Sequence, residues 1–472
     1  MKAAAHRRGQ ALVPVLFVVL ILTAFAVTLS ARARRETREA HRYLGDIQAY
    51  YIARGAVMYA AADLQQSTNG GTTPPTMRTP PDTDANGWTQ LGDGWYKVEV
   101  VDTASRVNIN TASAQSLASL PAFGGDPTIP LAIVDWRDAD DTPGTLSGSL
   151  GAESEYYEAL SPPYDAKNSP FDSIAEILLV RGMTTSLLYD PNAGQSGFSQ
   201  APGVSRAAGR QAAQPTGEPI ATDASGTPLA EMLTTYSRER NVASDGTARV
   251  NVKTASADDL QETLGISPNL ARRLVESRGS NGSSLNSIAD LLNIPGFTRQ
   301  VMQSIGDRVT VTDSAFREGR LNINTASSEA LATIPGVDQA IYDQVIQARE
   351  SGTTFTGLND LFQLTSLNRQ QLQALVDNVC TKSSIYLVRV KVRMPNSRAI
   401  YAVQAMVELT PPAVQAQGSG ASGPQGGAQE ATASQSPRVL QWQGVGRDPG
   451  WQTWAPAPDY GPTATGGTLG TG

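Results

Sequence analysis

The stretch "VNINTAS" at 107–113 returns as "VNVKTAS" at 250–256 and as "LNINTAS" at 321–327. A unit written three times constrains the fold more than any local propensity, because each copy must build the same supersecondary unit. The match runs on. Each copy continues with a short stretch ("AQSLASLPAF", "ADDLQETLGI", "SEALATIPGV"). A second half then follows: "FDSIAEILLVRGM" at 171–183, "LNSIADLLNIPGF" at 285–297 and "FTGLNDLFQLTSL" at 355–367. Its acidic position is Glu176, Asp290 or Asp360. The halves begin 35 and 34 residues apart in copies two and three but 64 apart in copy one, so copy one carries an insertion of about 30 residues. Each half predicts helix, tight turn, helix. Ser113, Ser256 and Ser327 are placed to cap the first helix. Asp259 stands three residues on in copy two, and Pro-Gly at 295–296 and 335–336 supplies a turn.

The N-terminus sets the second constraint. Gln10 to Ser30 runs 21 residues without a charge. As a helix this is about 32 Å long, enough to cross the hydrocarbon layer. Three fates fit it: a plain anchor, a secretory signal cut after the small residues Ala31 and Ala33, or cleavage between Gly9 and Gln10 that leaves the span on the mature chain. The helical pattern continues without a proline until Pro74. Leu44, Ile47, Tyr51 and Met58 recur as on one face, and Gly55 falls on that face, where it would let a neighbour approach.

Composition removes several classes of chemistry. Cys380 is the one cysteine, and His6 and His41 are the two histidines, both beside the apolar run. A disulfide scaffold, a zinc cluster and a Ser–His–Asp or Cys–His site therefore have almost nothing to work with, and no catalytic residue is assigned. A net charge of −7 does not suggest a nucleic-acid binder.

Strands bracket the helical copies. In "GWYKVEVVDTASRVNIN", Tyr96, Val98 and Val100 alternate on one face. After copy three, Val388, Val390 and Val392 alternate against Arg389, Lys391 and Arg393. "PNSR" turns the chain, and Tyr401, Val403, Ala405 and Val407 alternate on the return. "RVLQWQGVG" suits a last strand, and "LAEMLTTYSRE" reads as a short helix before copy two. Residues 67–87 read as a loop, and residues 191–228 and 411–437 as disordered linkers.

The insertion is acidic: Asp135, Asp138, Asp140, Asp141, Glu153, Glu155 and Glu158 fall among glycines and prolines. Such a loop is either a solvated acidic surface or a calcium chelator, since calcium takes six to eight oxygens from a loop able to bend. The Asp138-x-Asp140 spacing suits the second without completing an EF-hand.

A basic leader ending in Gly9, an uncharged span and one long continuing helix resemble a type IV prepilin or type II secretion pseudopilin. Most of that family carries glutamate at the fifth mature position; counting from Gln10, Pro14 stands there. Its absence resembles the minor pseudopilin K (general secretion pathway protein K) family. It fits a subunit at the filament tip, with no neighbour above whose terminal amine needs neutralising in lipid. The repeats resemble paired helix-hairpin-helix modules. The segments "DWRDADD", "GAESEYY" and "PPYDAKNSPFDSIAEILLVRG" look like that family's calcium-binding stretch. By that match Asp138, Asp140, Glu153, Glu155 and Asn168 are ligands of a structural calcium, with Tyr156, Tyr157 and Tyr164 packing the loop.

The expected architecture is α+β: a long N-terminal transmembrane helix on a small antiparallel sheet, with an inserted all-α helix-hairpin-helix domain. The expected boundaries are a leader at 1–9, the helix at 10–66 and a discontinuous sheet at 88–106 and 384–446. Copy one spans 107–183, a linker with a short helix 184–249, copy two 250–311 and copy three 321–383. A third copy departs from the family's two sites. The resemblance implies a minor pseudopilin at the tip of a secretion pseudopilus, processed by prepilin peptidase. It would be anchored once in the bacterial inner membrane, with its C-terminal domain in the periplasm, and would contact other minor pseudopilins and secreted cargo. The charge flanks oppose that orientation, with three basic residues before the span and five just after. The rival is a membrane-tethered DNA receptor. Against it, copy three holds three basic residues to six acidic, copy two balances six against six, and Asp338 stands where a phosphate-binding glycine would.

Overall fold

The computed structural model describes residues 12–69, 74–190, 227–279, 284–364, 366–395, 400–410 and 436–446. Gly9, Gln10, the expected linker from 191 to 226, the turn at 396–398 and the linker from 411 to 435 lie outside them.

Helix α1 (Leu12–Asn69) runs unbroken from the apolar span into the globular part. Its first half is exposed, and it is long and apolar enough to cross a membrane. Its second half packs on a five-stranded antiparallel sheet of β1 (Thr89–Leu91), β2 (Gly94–Asp102), β3 (Ile385–Arg393), β4 (Ile400–Glu408) and β5 (Arg438–Gly446), in that spatial order. The alternating residues expected of β2, β3 and β4 face the helix.

The helix face is not the expected one. Leu44, Ile47, Tyr51 and Met58 point outward, and the buried stripe is Ala49, Ile52, Ala53, Ala56, Val57, Ala60, Ala61 and Leu64. Small alanines let the helix axis approach the valine-covered sheet, whereas bulky side chains there would hold it off. A Cβ at Gly55 would meet only Leu91, at an ordinary 3.5 Å.

The three copies share a second core. In each, the opening dipeptide forms a parallel ladder with the strand that leaves the copy. Val107–Asn108 pairs with Leu233–Thr234, Val250–Asn251 with Val309–Thr310, and Leu321–Asn322 with Val379–Cys380. Ser113, Ser256 and Ser327 cap the following helices, with a full capping box at Ser256 and Asp259. The first helix of each second half is a 3-10 turn: Ile174–Leu179, Ile288–Asn293 and Leu358–Gln363. The repeated acidic residue holds its entry, as when Asp360 Oδ2 accepts from Thr356 N–H at 2.7 Å. The stretch before copy two is helical only over Leu229–Met232. Leu233–Thr234 and Arg238–Arg240 are drawn into ladders, the latter with Phe316–Glu318.

Asparagine closes copies one and three. Asn324 Nδ2 donates to Phe355 O (2.8 Å) and Thr381 O (3.0 Å), while its Oδ1 accepts from Phe355 N–H (2.9 Å). Asn110 makes the same three bonds to Phe171 and Thr235. One side chain thus joins the motif, the second half and the exit strand. Copy two has Lys253 at this position and lacks the clasp. An arginine ending the preceding helix serves all three copies: Arg137, Arg278 and Arg349 donate to motif carbonyls.

Asn324→Ala strands two carbonyls and an amide in a partly buried site. It should lower stability by about 2–3 kcal/mol, read as a shift of the urea midpoint. Lys253→Ala, where no clasp exists, should change it by less than about 0.5 kcal/mol.

Candidate functional site

The acidic insertion is a folded loop. Helix α2 (Thr128–Arg137) delivers Asp135, which is buried. Its Oδ1 accepts from Gly144 N–H at 3.0 Å, and Gly151 N–H donates to Gly144 O at 2.9 Å. A Cβ at Gly151 would collide with the Asp135 carboxylate, so only glycine admits this contact. A short ladder of Thr145–Leu146 with Ser149–Leu150 closes on Ser147 (φ 51°) and Gly148 (φ 85°). That is the left-handed pair a two-residue hairpin requires.

Behind the loop lies an aromatic cluster. Tyr157 is fully buried on helix α3 (Ser154–Glu158), edge-on to Trp136 at 5.1 Å and tilted against Tyr164 at 5.3 Å. Trp136 Nε1 donates to Glu176 Oε1 (3.1 Å), and Arg181 N–H donates to Tyr157 Oη (3.2 Å). The second half of copy one therefore fixes the wall on which the loop rests.

Asp138, Asp140 and Glu153 each bring a carboxylate oxygen within 4.8 Å of the others. Asp138 Oδ1, both Glu153 oxygens and Asn168 Oδ1 are buried, and none has a hydrogen-bond partner among the described residues. Asn168 stands at φ 47°, and its Nδ2 donates to Asp141 Oδ1 at 3.2 Å. Glu155 lies apart from the trio, exposed on the first turn of α3. Burial, then the charges of Asp135, Asp138, Asp140 and Asp141, push the Glu153 carboxyl up to about 7. Four of the five residues expected as ligands thus present orphaned or clustered oxygens that could hold a hard cation. Asp135, whose Oδ2 also lacks a hydrogen-bond partner among the described residues, is one of the loop carboxylates that the resemblance leaves out of the ligand set. Its signal was the glycine pair at 144 and 151, meaningful only once the loop is closed.

The hairpins of copies two and three engage each other. Arg299 donates to Leu364 O and Leu367 O, while Arg369 reaches Asn293 Oδ1 and Leu292 O. Asp338 is used as a helix cap, accepting from Ile341 N–H.

Residues 105–190 match the family model of type II secretion system protein K, and residues 246–310 and 317–380 match the helix-hairpin-helix motif. Two similar curated proteins are both named type II secretion system protein K. The one from Klebsiella pneumoniae is 29% identical over 39% of this chain and 60% of its own length. The one from Pseudomonas aeruginosa is 29% identical over 37% of this chain and 58% of its own. The chain thus spans about three-fifths of the length of these curated relatives. The GspK–GspI–GspJ complex from enterotoxigenic Escherichia coli aligns with 87% of this chain and 99% of the matched chain, at 15% identity and a TM-score of 0.38.

The raised Glu153 makes a signed prediction for the metal-free protein. The folded state binds this proton more tightly than the unfolded chain, so stability falls as pH rises from about 4.5 to about 7. In chelator at pH 8, Glu153→Gln should therefore gain roughly 1 kcal/mol, discounted for solvent screening, and the gain should vanish at pH 4. Thermal unfolding at the two pH values checks it.

Proposed function

We propose that this chain, which carries the protein K domain of type II secretion systems, works as a membrane-anchored minor pseudopilin. It would sit at the tip of a short filament, helping to start assembly and support protein secretion. The observation that carries the reading is α1, one helix that is first a lipid-length apolar rod and then the backing of an antiparallel sheet. Such a helix couples a globular head rigidly to a bundle of like helices in the membrane. The three helical copies lie between β2 and β3 in sequence, and we take them as a domain inserted into the pilin-like unit. The head faces the periplasm, prepilin peptidase cuts between Gly9 and Gln10, other minor pseudopilins are neighbours, and secreted cargo is a further contact. No chemistry is assigned; the role is structural.

Calcium is the structural ion of this reading. Asp138, Asp140, Glu153 and Asn168 hold it, and the ion compensates the burial and the neighbouring carboxylates that together raise the Glu153 carboxyl. Glu155 is outside the set. Mutual engagement of the hairpins in copies two and three favours packing over DNA binding, since those faces are spent on each other.

N-terminal sequencing of the mature protein should begin at Gln10. A start at Arg34 or an intact Met1 would sink the pseudopilin reading. Calcium titration should raise the melting temperature at pH 8. Its affinity should weaken by about tenfold per pH unit below about 7, where a proton competes for Glu153. Asn168→Ala should weaken it and Glu155→Gln should not. Fluorescent duplex DNA should show no salt-dependent binding to the full chain.

A further inference from the structure

We propose that β2 presents an open edge that receives an extended segment of a partner protein as an added antiparallel strand. The segment would alternate apolar and acidic residues. This rests on the sheet alone and stands or falls apart from the filament reading.

The register identifies the free groups. Leu409 N–H donates to Ser384 O, so the even-numbered residues of β3 bond toward β4. Thr103 Oγ1 bonds Ile385 O on the opposite side, and the odd-numbered residues therefore bond toward β2. Their partners are Trp95, Lys97, Glu99 and Val101. The backbone groups of Tyr96, Val98 and Val100 consequently face away from β3. Strand β1 pairs with β2 only from Gly94 to Tyr96. At the far end Ser105 Oγ donates to Asp102 O at 2.7 Å. Between these stops, the N–H and C=O of Val98 and Val100 have no partner among the described residues. Neither residue is fully buried.

Two cavities flank this same edge, of about 650 Å³ and about 740 Å³, and both touch Lys97, Val98, Val101 and Ser105. The one on the α1 side is mainly apolar, with Leu64, Met77, Pro80 and Tyr96, and also carries Asp102 and Lys97. The one on the other side holds Lys97, Arg106, Arg389 and Lys391 against Glu99 and Glu231, a net excess of two positive charges, with Arg106 and Arg389 already paired to Glu231. An incoming strand turns alternate side chains to the two faces. Its apolar residues would enter the first cavity and its acidic residues the second. Main-chain bonds to Val98 and Val100 would supply affinity, and the two linings specificity. An exposed edge left in a slot of this shape is otherwise a liability that folds cover or charge.

The test uses the full chain in detergent and a synthetic peptide of about ten residues alternating valine and glutamate. Backbone amide exchange is followed at Val98 and Val100. The peptide should slow exchange there, and a valine–lysine peptide should bind at least about tenfold more weakly. The double variant Lys97→Glu, Lys391→Glu, which changes only partly exposed side chains, should reverse that preference. The proposal is overturned if the valine–glutamate peptide at saturation leaves the Val98 and Val100 amides unprotected, or if both peptides bind equally. It is also overturned if the Val98 and Val100 amides are protected without peptide. Protection that rises with protein concentration would assign the edge to a second copy. Protection lost on deleting residues 191–226 would assign it to the chain itself.

Discussion

The helical part depends on one interaction, the parallel ladder by which each repeat's opening dipeptide meets its own exit strand. Two residues on each side close a loop of some sixty residues in copies two and three. A ladder so short gains little alone. It holds because the Asn110 and Asn324 side chains bond the second half and the exit strand at once. An arginine then covers the motif's remaining carbonyls. Copy two, with Lys253 in place of the asparagine, leans on its capping box and on its packing against copy three.

A second layer of polar contacts joins the helical copies to the sheet. Glu231 pairs with Arg106 and with Arg389, the latter at 2.9 Å, and Arg238 meets Glu408 at 2.6 Å. Asp102, at the end of β2, accepts from Asn322 Nδ2 and Thr325 Oγ1, each at 2.7 Å, which ties copy three to the sheet. Burial raises the Asp102 carboxyl despite these donors. Buried pairs of this kind add little net stability, and their use is to fix one arrangement over others. Arg389, which alternates in sequence like a solvent-facing strand residue, is buried for this reason.

What was legible was local or periodic. The serine caps, the β3–β4 alternation and the apolar span depend on neighbours a few residues away, so the sequence states them directly. The α1 face was not legible, because hydrophobic spacing picks the bulky stripe of Leu44, Ile47, Tyr51 and Met58, while the sheet selects the small one. The acidic loop was legible as a cluster, and its roles were not. Glu155 and Glu153 look alike in a list of carboxylates. Only closure of the loop by Asp135 and the two glycines buries one and leaves the other in solvent.

Three like helical units, an acidic insertion in the first, and a lipid-length helix running on into the head are all written in the sequence. Each follows from composition or period along one chain. Only tertiary contacts settle which helix face is buried and which hairpins clasp each other, and, among the described residues, which oxygens lack donors and which strand edge is unpaired. Those depend on contacts between segments hundreds of residues apart, whose geometry no local pattern encodes.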